Sequence, residues 1–273
     1  MKVLVNGISF HVELYGQGFP FVLLHGFTGN STTWFPFNEE WGAHSQLIMP
    51  DIIGHGKTAI TMDADRYEMK AAARDLNEIL NQLKVEQVDL LGYSMGGRLA
   101  LTFAILFPER VRKLILESSS PGLLTEAERV QRRLSDEKLA QFIEEHGVEL
   151  FVNDWEEIPL FATLKRLPAD VREKIREQRL LNSAEGLANS LRGMGTGSQP
   201  SWWGAPLKQL ACEVLLITGE QDSKFCDIAR NMIKELKKGK WVIVPDCGHA
   251  IHVEESKKFG TIVSDFVSDI CLK

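Results

Sequence analysis

Short runs of apolar and β-branched residues alternate with longer segments of helical periodicity along the first 118 residues of the chain. Three of the short runs are apolar on both faces, as in strands that helices cover on both sides. This alternation predicts an α/β fold with a mostly parallel, doubly wound sheet. The predicted elements are strands at Ser9–Leu14, Phe21–Leu24, Leu47–Met49, Val88–Leu91 and Leu114–Leu116, and helices near Tyr67–Leu83 and Met95–Phe107.

The alternation stops between residues 119 and 207, where the sequence is helical, highly charged and without a convincing strand. It then resumes, with strands at Val214–Thr218 and Trp241–Val244 and helices near Ile228–Leu236 and Val253–Val267. We therefore expect a core formed by residues 1–118 and 208–273 and a helical cap, or lid, formed by residues 119–207. Such a lid is expected over the carboxyl ends of the strands, where open α/β sheets bind their ligands.

The composition narrows the class of protein. Of the 273 residues, 44% are hydrophobic and 25% are charged, as in an ordinary globular protein. A net charge of −6 gives no reason to expect binding to nucleic acid or to an acidic membrane, which needs a basic face. No apolar stretch suits a signal peptide or a membrane span, and Cys212, Cys226, Cys247 and Cys271 lack the spacing of a disulfide scaffold. We expect a cytoplasmic protein with reduced thiols, as a monomer or a weak homo-oligomer.

The segment Gly92-Tyr93-Ser94-Met95-Gly96 directly follows a predicted strand and directly precedes a predicted helix. A G-x-S-x-G motif in that position is typical of a nucleophile elbow, a turn so tight that glycines must flank the serine. The turn presents the serine hydroxyl above the sheet, at the start of the helix. Ser94 is therefore the candidate catalytic residue of this turn.

Two later loops supply candidate partners for Ser94. Asp222 follows one predicted strand and His249 follows the next, so both lie at the same rim of the sheet as Ser94. The order Ser, Asp, His matches a catalytic triad of this type. In it His249 takes a proton from Ser94, while Asp222 orients the imidazole and supports its positive charge. Glu220 and Asp246 lie nearby at other offsets, and we interpret both as loop residues.

A candidate oxyanion site follows the strand Phe21–Leu24, in the segment His25-Gly26-Phe27. There the backbone N–H of Phe27, together with that of Met95, could face a developing negative charge. One such donor is typically worth roughly 3–4 kcal/mol of transition-state stabilisation. This prediction depends on the position of the loop alone, because backbone donors leave little trace in the side chains.

Two other patterns do not predict sites. His249 and His252 lie three residues apart, but no third ligand accompanies them at metal-site spacing, so we interpret His252 as a helix-start residue and expect no metal. Gly56-Lys57-Thr58 resembles the end of a phosphate-binding loop. However, Asp51 stands where that loop requires a glycine.

Arginine is the feature that bears on the substrate. The lid holds eight of the fourteen arginines, and Arg129, Arg132 and Arg133 share one helical face. Most lid arginines alternate with acidic residues, and we interpret those as exposed helix surface. Arg98 differs, because it lies in the first turn of its helix, where a cation opposes the helix dipole. Helical side chains lean toward the N-terminus, so the Arg98 side chain can reach back toward Ser94. We expect Arg98 to bind an anionic substrate, since guanidinium groups bind carboxylates bidentately.

Longer motifs resemble those of one family over nearly the whole chain. They are Gly92-Tyr93-Ser94-Met95-Gly96-Gly97-Arg98, Ser119-Ser120-Pro121-Gly122-Leu123, Glu128-Arg129-x-x-Arg132-Arg133-x-x-Asp136, Asp154-Trp155 and Gly197-Ser198-Gln199-Pro200-Ser201. The sequence resembles the 2-succinyl-6-hydroxy-2,4-cyclohexadiene-1-carboxylate synthases (MenH) of bacterial menaquinone (vitamin K2) biosynthesis. The resemblance implies the α/β-hydrolase fold, with an eight-stranded, mostly parallel sheet, helices on both faces and a helical lid.

The resemblance also implies the reaction of a carbon–oxygen lyase that needs no cofactor. Such an enzyme removes a proton from a small polycarboxylate substrate and expels pyruvate, with Ser94, activated by His249, as the base. In the family's pattern, arginines hold the substrate carboxylates and further side chains line the pocket. The matching positions here are Arg98, Arg132 and Arg179 (or Arg176 in place of Arg179) for the carboxylates, and Tyr93 and Trp155 for the pocket. We also expect His25 to contact the substrate.

Two other functions remain open at this point. A serine hydrolase acting on an ester, a lactone or a carbon–carbon bond would use the same triad with Ser94 as the nucleophile, although an apolar lid would suit an esterase better. A non-catalytic receptor for a small acidic ligand is the second alternative, and the complete triad argues against it. Haloalkane dehalogenases and epoxide hydrolases need an aspartate nucleophile at the elbow, so the presence of Ser94 there argues against both activities.

Overall fold

Eight strands form one sheet in the computed structural model of the protein, which describes residues 1–268. In chain order they are β1 (Lys2–Val5), β2 (Ile8–Tyr15), β3 (Phe19–Leu24), β4 (Ser45–Pro50), β5 (Val88–Tyr93), β6 (Val111–Glu117), β7 (Glu213–Gly219) and β8 (Gly239–Val244). Their spatial order is β1-β2-β4-β3-β5-β6-β7-β8. The β1–β2 and β2–β4 pairs are antiparallel and all the other pairs are parallel. The predicted mostly parallel α/β sheet is confirmed, and β1 is a strand that the apolar pattern does not predict.

Helices lie between most of the strands. They are α1 (Asn38–Gly42), α2 (Met69–Gln82), α3 (Met95–Leu106), α4 (Glu126–Glu157), α5 (Ala169–Leu180), α6 (Ala184–Met194), α7 (Ala205–Gln209), α8 (Ser223–Met232), α9 (Ile251–Glu254) and α10 (Ser256–Val267). Residues 119–207, all of which the structure describes, form α4 to α7 and a 3₁₀ segment at Pro159–Arg166, and they contain no strand. Helix α4 bends at Gly147, whose backbone has φ 82° and ψ 170°.

Two helix boundaries differ from those that the periodicity predicts. Helix α8 begins at Ser223 rather than near Ile228, because the carboxylate of Asp222 caps its first turn by accepting a hydrogen bond from the Phe225 N–H at 3.5 Å. The single helix predicted over Val253–Val267 is divided into α9 and α10 by the non-helical backbone of Glu255. Cys271, one of the four cysteines of the sequence, lies outside the described residues.

Apolar side chains cover both faces of the sheet. Alternate residues of β3 point to opposite sides, so that Val22 and Leu24 pack with α2, α3 and α8, while Phe21 and Leu23 pack with α1, α9 and α10. A third apolar cluster joins α4 to α6 inside the lid. Within residues 1–268, no helix combines the length and the apolar character that crossing a membrane requires.

The position of the site follows from the strand order. Strand β3 has β4 on one side and β5 on the other, so the order of the sheet reverses between β3 and β5. The carboxyl ends of these two strands lie together, with Leu24 opposite Gly92. Ligands of open α/β sheets bind at such a switch point. Phe161 and Leu164 of the lid pack against Ala250 there, which holds the lid against the loop that follows β8.

Candidate active site

Ser94 occupies a strained turn between β5 and α3. Its backbone has φ 51° and ψ −108°, which a non-glycine residue rarely adopts. A side chain on either flanking glycine would collide with backbone: a Cβ on Gly92 would lie 2.3 Å from the Gly96 carbonyl oxygen, and one on Gly96 would lie 2.3 Å from that of Leu24. The Ser94 N–H donates to the carbonyl of Glu117 at 2.9 Å. The turn is therefore fixed by β3 and β6 as well as by its own sequence.

The three predicted triad residues lie in hydrogen-bonding contact. The Nδ1 atom of His249 lies 2.6 Å from Oδ2 of Asp222, and its Nε2 atom lies 3.0 Å from Oγ of Ser94. Because a carboxylate can only accept, His249 carries its proton on Nδ1 and offers Nε2 as the acceptor for the serine hydroxyl. His249 is 1% exposed, so these bonds are sheltered from water. The arrangement can lower the cost of removing the proton of Ser94.

Glu254, at the end of α9, holds the loop that carries His249. Its carboxylate accepts hydrogen bonds from the Gly248 N–H at 2.8 Å and from the Ala250 N–H at 3.3 Å. Gly248 and Ala250 are the two residues on either side of His249, and both are buried. The sequence analysis does not identify Glu254, and its spacing of five residues from His249 is the only signal that could have drawn attention to it.

Two backbone N–H groups are available as oxyanion donors. Neither the N–H of Phe27 nor that of Met95 donates a hydrogen bond within residues 1–268. His25, predicted to contact substrate, lies instead behind this loop and does not line the cavity. Its Nδ1 donates to the Gly26 carbonyl at 2.8 Å and its Nε2 accepts from the Ile52 N–H at 3.0 Å. Burial lowers the pKa of His25, so the neutral ring braces the loop and has no nitrogen left for a ligand.

Ser94 opens into a cavity of about 190 Å³, and part of its wall is aromatic. Phe27, Tyr93, Trp155 and Phe161 contribute to it. The rings of Phe27 and Trp155 meet edge to face, with centroids 5.6 Å apart. The buried Nε1 of Trp155 has no hydrogen-bond partner in the described part of the chain. Tyr93 and Trp155, the two predicted pocket residues, therefore line the cavity of Ser94. Other lining residues that the sequence analysis did not identify include Ser120, Lys224 and Phe225.

Arg98 lines the same cavity from the first turn of α3. Its Nη1 donates to the Met194 carbonyl and to Oε1 of Gln199, the latter at 2.7 Å. Burial, and to a smaller extent the nearby charge of Arg132, lowers the pKa of Arg98 to about 10, and the carboxylate of Asp136 partly opposes this shift. Arg98 remains positively charged at neutral pH, because a pKa of about 10 still lies well above 7.

Arg132 also lines the cavity, and it pairs with the buried Asp136, with 2.7 Å between Nε and Oδ1. The other carboxylate oxygen of Asp136 has no hydrogen-bond partner among the described residues. The carboxylate of Asp136 thus lies near both Arg98 and Arg132, and these three side chains together carry one net positive charge. An anionic substrate would balance it.

Arg179 does not face the triad. It lines a neighbouring cavity of about 510 Å³, on the other side of Tyr93 and Phe161, and its guanidinium lies 4.9 Å from the ring centroid of Phe161. Its Nη1 pairs with Glu156 at 3.3 Å, and Arg176 pairs with the same carboxylate at 3.0 Å. Neither arginine therefore lies in the cavity of Ser94. The helical spacing in the lid identifies both residues but not the direction in which they point.

His252 belongs to a buried acid–base pair behind the site. Its Nδ1 lies 2.9 Å from Oε1 of Glu117, which also accepts the His252 backbone N–H. The edge of the Tyr93 ring meets the His252 ring with centroids 4.5 Å apart. Among residues 1–268, no three His, Cys, Asp or Glu side chains are grouped as a metal site would need.

Comparison with known proteins gives a consistent result. A family profile described as the alpha/beta hydrolase fold matches residues 20–256. A protein of Bacillus subtilis (strain 168), provisionally named 2-succinyl-6-hydroxy-2,4-cyclohexadiene-1-carboxylate synthase, is 50% identical over 91% of this chain and 90% of its own length. The synthase of that name from Photorhabdus laumondii is 31% identical over 90% of this chain and 84% of its own length.

Solved structures include both a similar synthase and a similar esterase. The structure of MenH from S. aureus superposes with a TM-score of 0.91 and 37% identity, covering 95% of this chain and 98% of that one. A thermophilic esterase from Thermogutta terrifontis, solved with malate bound, has a TM-score of 0.83 and 26% identity, covering 98% of this chain and 97% of its own.

Proposed function

This chain belongs to the 2-succinyl-6-hydroxy-2,4-cyclohexadiene-1-carboxylate synthases of the α/β-hydrolase fold, and from that membership we propose how it acts. It is a carbon–oxygen lyase of menaquinone biosynthesis. Its substrate is 2-succinyl-5-enolpyruvyl-6-hydroxy-3-cyclohexene-1-carboxylate, and its products are pyruvate and the cyclohexadiene that gives the family its name.

The bond changes follow from the two ring structures. A proton leaves ring carbon 2, which is acidified by the succinyl ketone and by the neighbouring double bond. A new double bond forms between carbons 2 and 3, the existing one shifts to carbons 4 and 5, and the bond from carbon 5 to the enolpyruvyl oxygen breaks. The departing enolpyruvate takes up one proton and becomes pyruvate. No water is consumed, and no covalent enzyme intermediate is needed.

Ser94 and His249 supply the base in this scheme. Oγ of Ser94 removes the proton from carbon 2 while His249 accepts the serine proton at Nε2, 3.0 Å away. Asp222, 2.6 Å from Nδ1, supports the imidazolium that results. The electrons released from carbon 2 place negative charge on the ketone oxygen, where the N–H groups of Phe27 and Met95 can stabilise it.

The position of Arg98 is the observation that supports the proposal most directly. It places a cation without a carboxylate partner of its own in the same cavity as Ser94. A substrate with several carboxylates is attracted to such a group, whereas a neutral ester gains nothing from it. Arg132 adds a second guanidinium at the cavity wall. Tyr93 and Trp155 provide flat apolar surfaces for the ring of the substrate.

Direct turnover tests the proposal. The enolpyruvyl substrate is generated in situ from isochorismate by the preceding synthase of the pathway, and pyruvate release and diene absorbance are followed together. We expect both to appear in equal amounts and faster than the spontaneous elimination. If the enzyme accelerates neither signal and instead hydrolyses p-nitrophenyl esters, the lyase assignment is wrong and the triad serves a hydrolase.

A serine hydrolase is the second candidate, favoured by the similarity to the Thermogutta esterase and by a triad that both reactions can use. The two mechanisms differ in whether Ser94 becomes acylated. A fluorophosphonate probe followed by mass spectrometry measures whether Ser94 is nucleophilic. A stoichiometric p-nitrophenol burst with an ester then shows whether an acyl-enzyme accumulates.

The setting of the enzyme is a further part of the proposal. We propose a cytoplasmic location and a monomer or weak homo-oligomer that acts alone on its small substrate. The free thiols Cys212, Cys226 and Cys247 agree with a reducing compartment. Fractionation of the producing cells and light scattering of the purified protein measure the two properties.

A further inference from the structure

The four arginines near the active site differ in the groups that hold them. Arg132, Arg176 and Arg179 each pair with a carboxylate. Arg98 is held by the Met194 carbonyl and by the side-chain amide of Gln199, both of which are uncharged. Among the described residues, no carboxylate oxygen lies within 4 Å of an Arg98 nitrogen, although the charge of Asp136 acts on Arg98 from further away. The charge of Arg98 is therefore fixed in position without an ion pair of its own.

Gln199 is itself rigidly placed. It is 1% exposed, and its backbone N–H donates to the Gly195 carbonyl at 3.0 Å. Its amide nitrogen lies against Gly122, where an added Cβ would come within 3.1 Å of it. That nitrogen has no hydrogen-bond partner among the described residues. Leaving a buried donor unpaired destabilises a protein, so the amide at this position has a cost in stability.

The orientation of the amide follows from the arginine. A guanidinium has only donors, so the Gln199 side chain must turn its oxygen toward Arg98, at 2.7 Å, and its NH₂ group away. A glutamate has almost the same shape and would offer the same oxygen. It would also form an ion pair with Arg98 and remove the net charge that the cavity offers to a ligand.

We propose that Gln199 is a positioning and specificity-determining residue: its neutral oxygen fixes Arg98 at the cavity wall while leaving the positive charge for a substrate carboxylate. This inference rests on the proposed function, because it requires an anionic substrate. Gln199 acts through Arg98 and does not line the cavity of Ser94.

Three variants test the proposal. Gln199→Glu keeps the shape and adds a charge, and Gln199→Met keeps the approximate length but removes the acceptor. Gln131→Glu adds the same charge at an exposed position of α4 and serves as the control. The assays are KM and kcat for the enolpyruvyl substrate, the Kd for phthalate as a simple dicarboxylate probe, and the midpoint of thermal unfolding.

We expect Gln199→Glu to raise KM and the phthalate Kd by roughly ten- to hundredfold, the range of a charged hydrogen-bonding partner, while kcat changes less than threefold. Gln199→Met should raise them only a few-fold, and Gln131→Glu should leave both within twofold of the unmodified enzyme. The unfolding midpoint of Gln199→Glu should fall no further than that of Gln199→Met, because the new ion pair offsets the burial of a carboxylate. A loss of affinity that is much larger in Gln199→Glu than in Gln199→Met, at similar stability, is the signature that a merely structural role does not produce.

Several results would overturn the proposal. They are a KM for Gln199→Glu within twofold of the unmodified value, an equal loss of affinity in both Gln199 variants that follows their loss of stability, and no binding of millimolar phthalate to the unmodified enzyme. If Gln199→Glu does not fold, Gln199→Met decides, and an unchanged KM and Kd in that variant refute the positioning role. The phthalate measurement needs no turnover, so it tests Gln199 even if the unmodified enzyme releases no pyruvate and the proposed function fails.

Discussion

Replacing Glu254 tests whether the loop of His249 needs an anchor. In Glu254→Ala, the N–H groups of Gly248 and Ala250 lose their acceptors at 2.8 and 3.3 Å. Both residues are buried, so water cannot readily take the place of the carboxylate. An unsatisfied buried donor costs about 1–3 kcal/mol, and the longer bond belongs at the low end of that range. We therefore expect a loss of about 2–4 kcal/mol of local stability.

Part of that loss should appear in catalysis, because His249 lies between the two peptide groups that are released. If about 2 kcal/mol is needed to return His249 to its place between Asp222 and Ser94, kcat falls about thirtyfold. KM should stay within twofold, since Glu254 does not line the cavity of Ser94.

Steady-state pyruvate release by Glu254→Ala measures the effect, with Glu255→Ala as the control. Glu255 is the exposed neighbour, so that variant removes the same charge from the same end of α9 without touching the loop. Hydrogen exchange at Gly248 and Ala250 shows whether the loop opens. A kcat for Glu254→Ala within threefold of the control, or a loss that appears in KM alone, would refute the reasoning.

Three further predictions concern the site and the thiols. Ser94→Ala should reduce kcat by roughly 10²–10⁴-fold and leave the Kd for phthalate unchanged by calorimetry, because only proton transfer is lost; near-normal turnover would exclude Ser94 as the base. Arg98→Ala should raise KM by roughly ten- to hundredfold in a protein that still folds but has a lower unfolding midpoint, because the Met194 carbonyl and the Gln199 amide lose their donor; an unchanged KM would exclude Arg98 from substrate binding. Burial raises the pKa of Cys212 to about 11 and that of Cys247 to about 12, so at pH 8 about one part in a thousand or less of each is thiolate. Mass-spectrometric mapping after treatment with a thiol reagent should find both unmodified in the native enzyme and modified after unfolding, and rapid native labelling would contradict this.

Local sequence was sufficient for the features that local geometry decides. The G-x-S-x-G segment predicts the turn of Ser94, because only glycines fit beside the neighbouring backbone. The positions of Asp222 and His249 after consecutive strands predict their meeting, because parallel strands end at one rim. The boundary of α8 could not be predicted from periodicity, since it is set by the cap that Asp222 provides rather than by an apolar face.

Side-chain directions around the site could not be predicted, because they depend on packing between distant segments. Arg179 turns toward Glu156 and Phe161 instead of the triad. His25 does not line the cavity, because its Nε2 accepts a hydrogen bond from the Ile52 N–H behind the loop. Gln199 carries no signal in the sequence for its contact with Arg98, which lies 101 positions away.

The bend of α4 at Gly147 connects two sides of the cavity of Ser94. Arg132 lies before the bend and Trp155 after it, and both line the cavity of Ser94. A side chain at Gly147 would meet no atom within 4 Å, so what restricts this position is its φ of 82° and not space. The separation between Arg132 and Trp155 therefore depends on the torsions of this one residue, together with the packing of α4 on α6. Gly147→Ala should strain the bend and change the KM for the enolpyruvyl substrate, and a KM equal to that of the unmodified enzyme would contradict this.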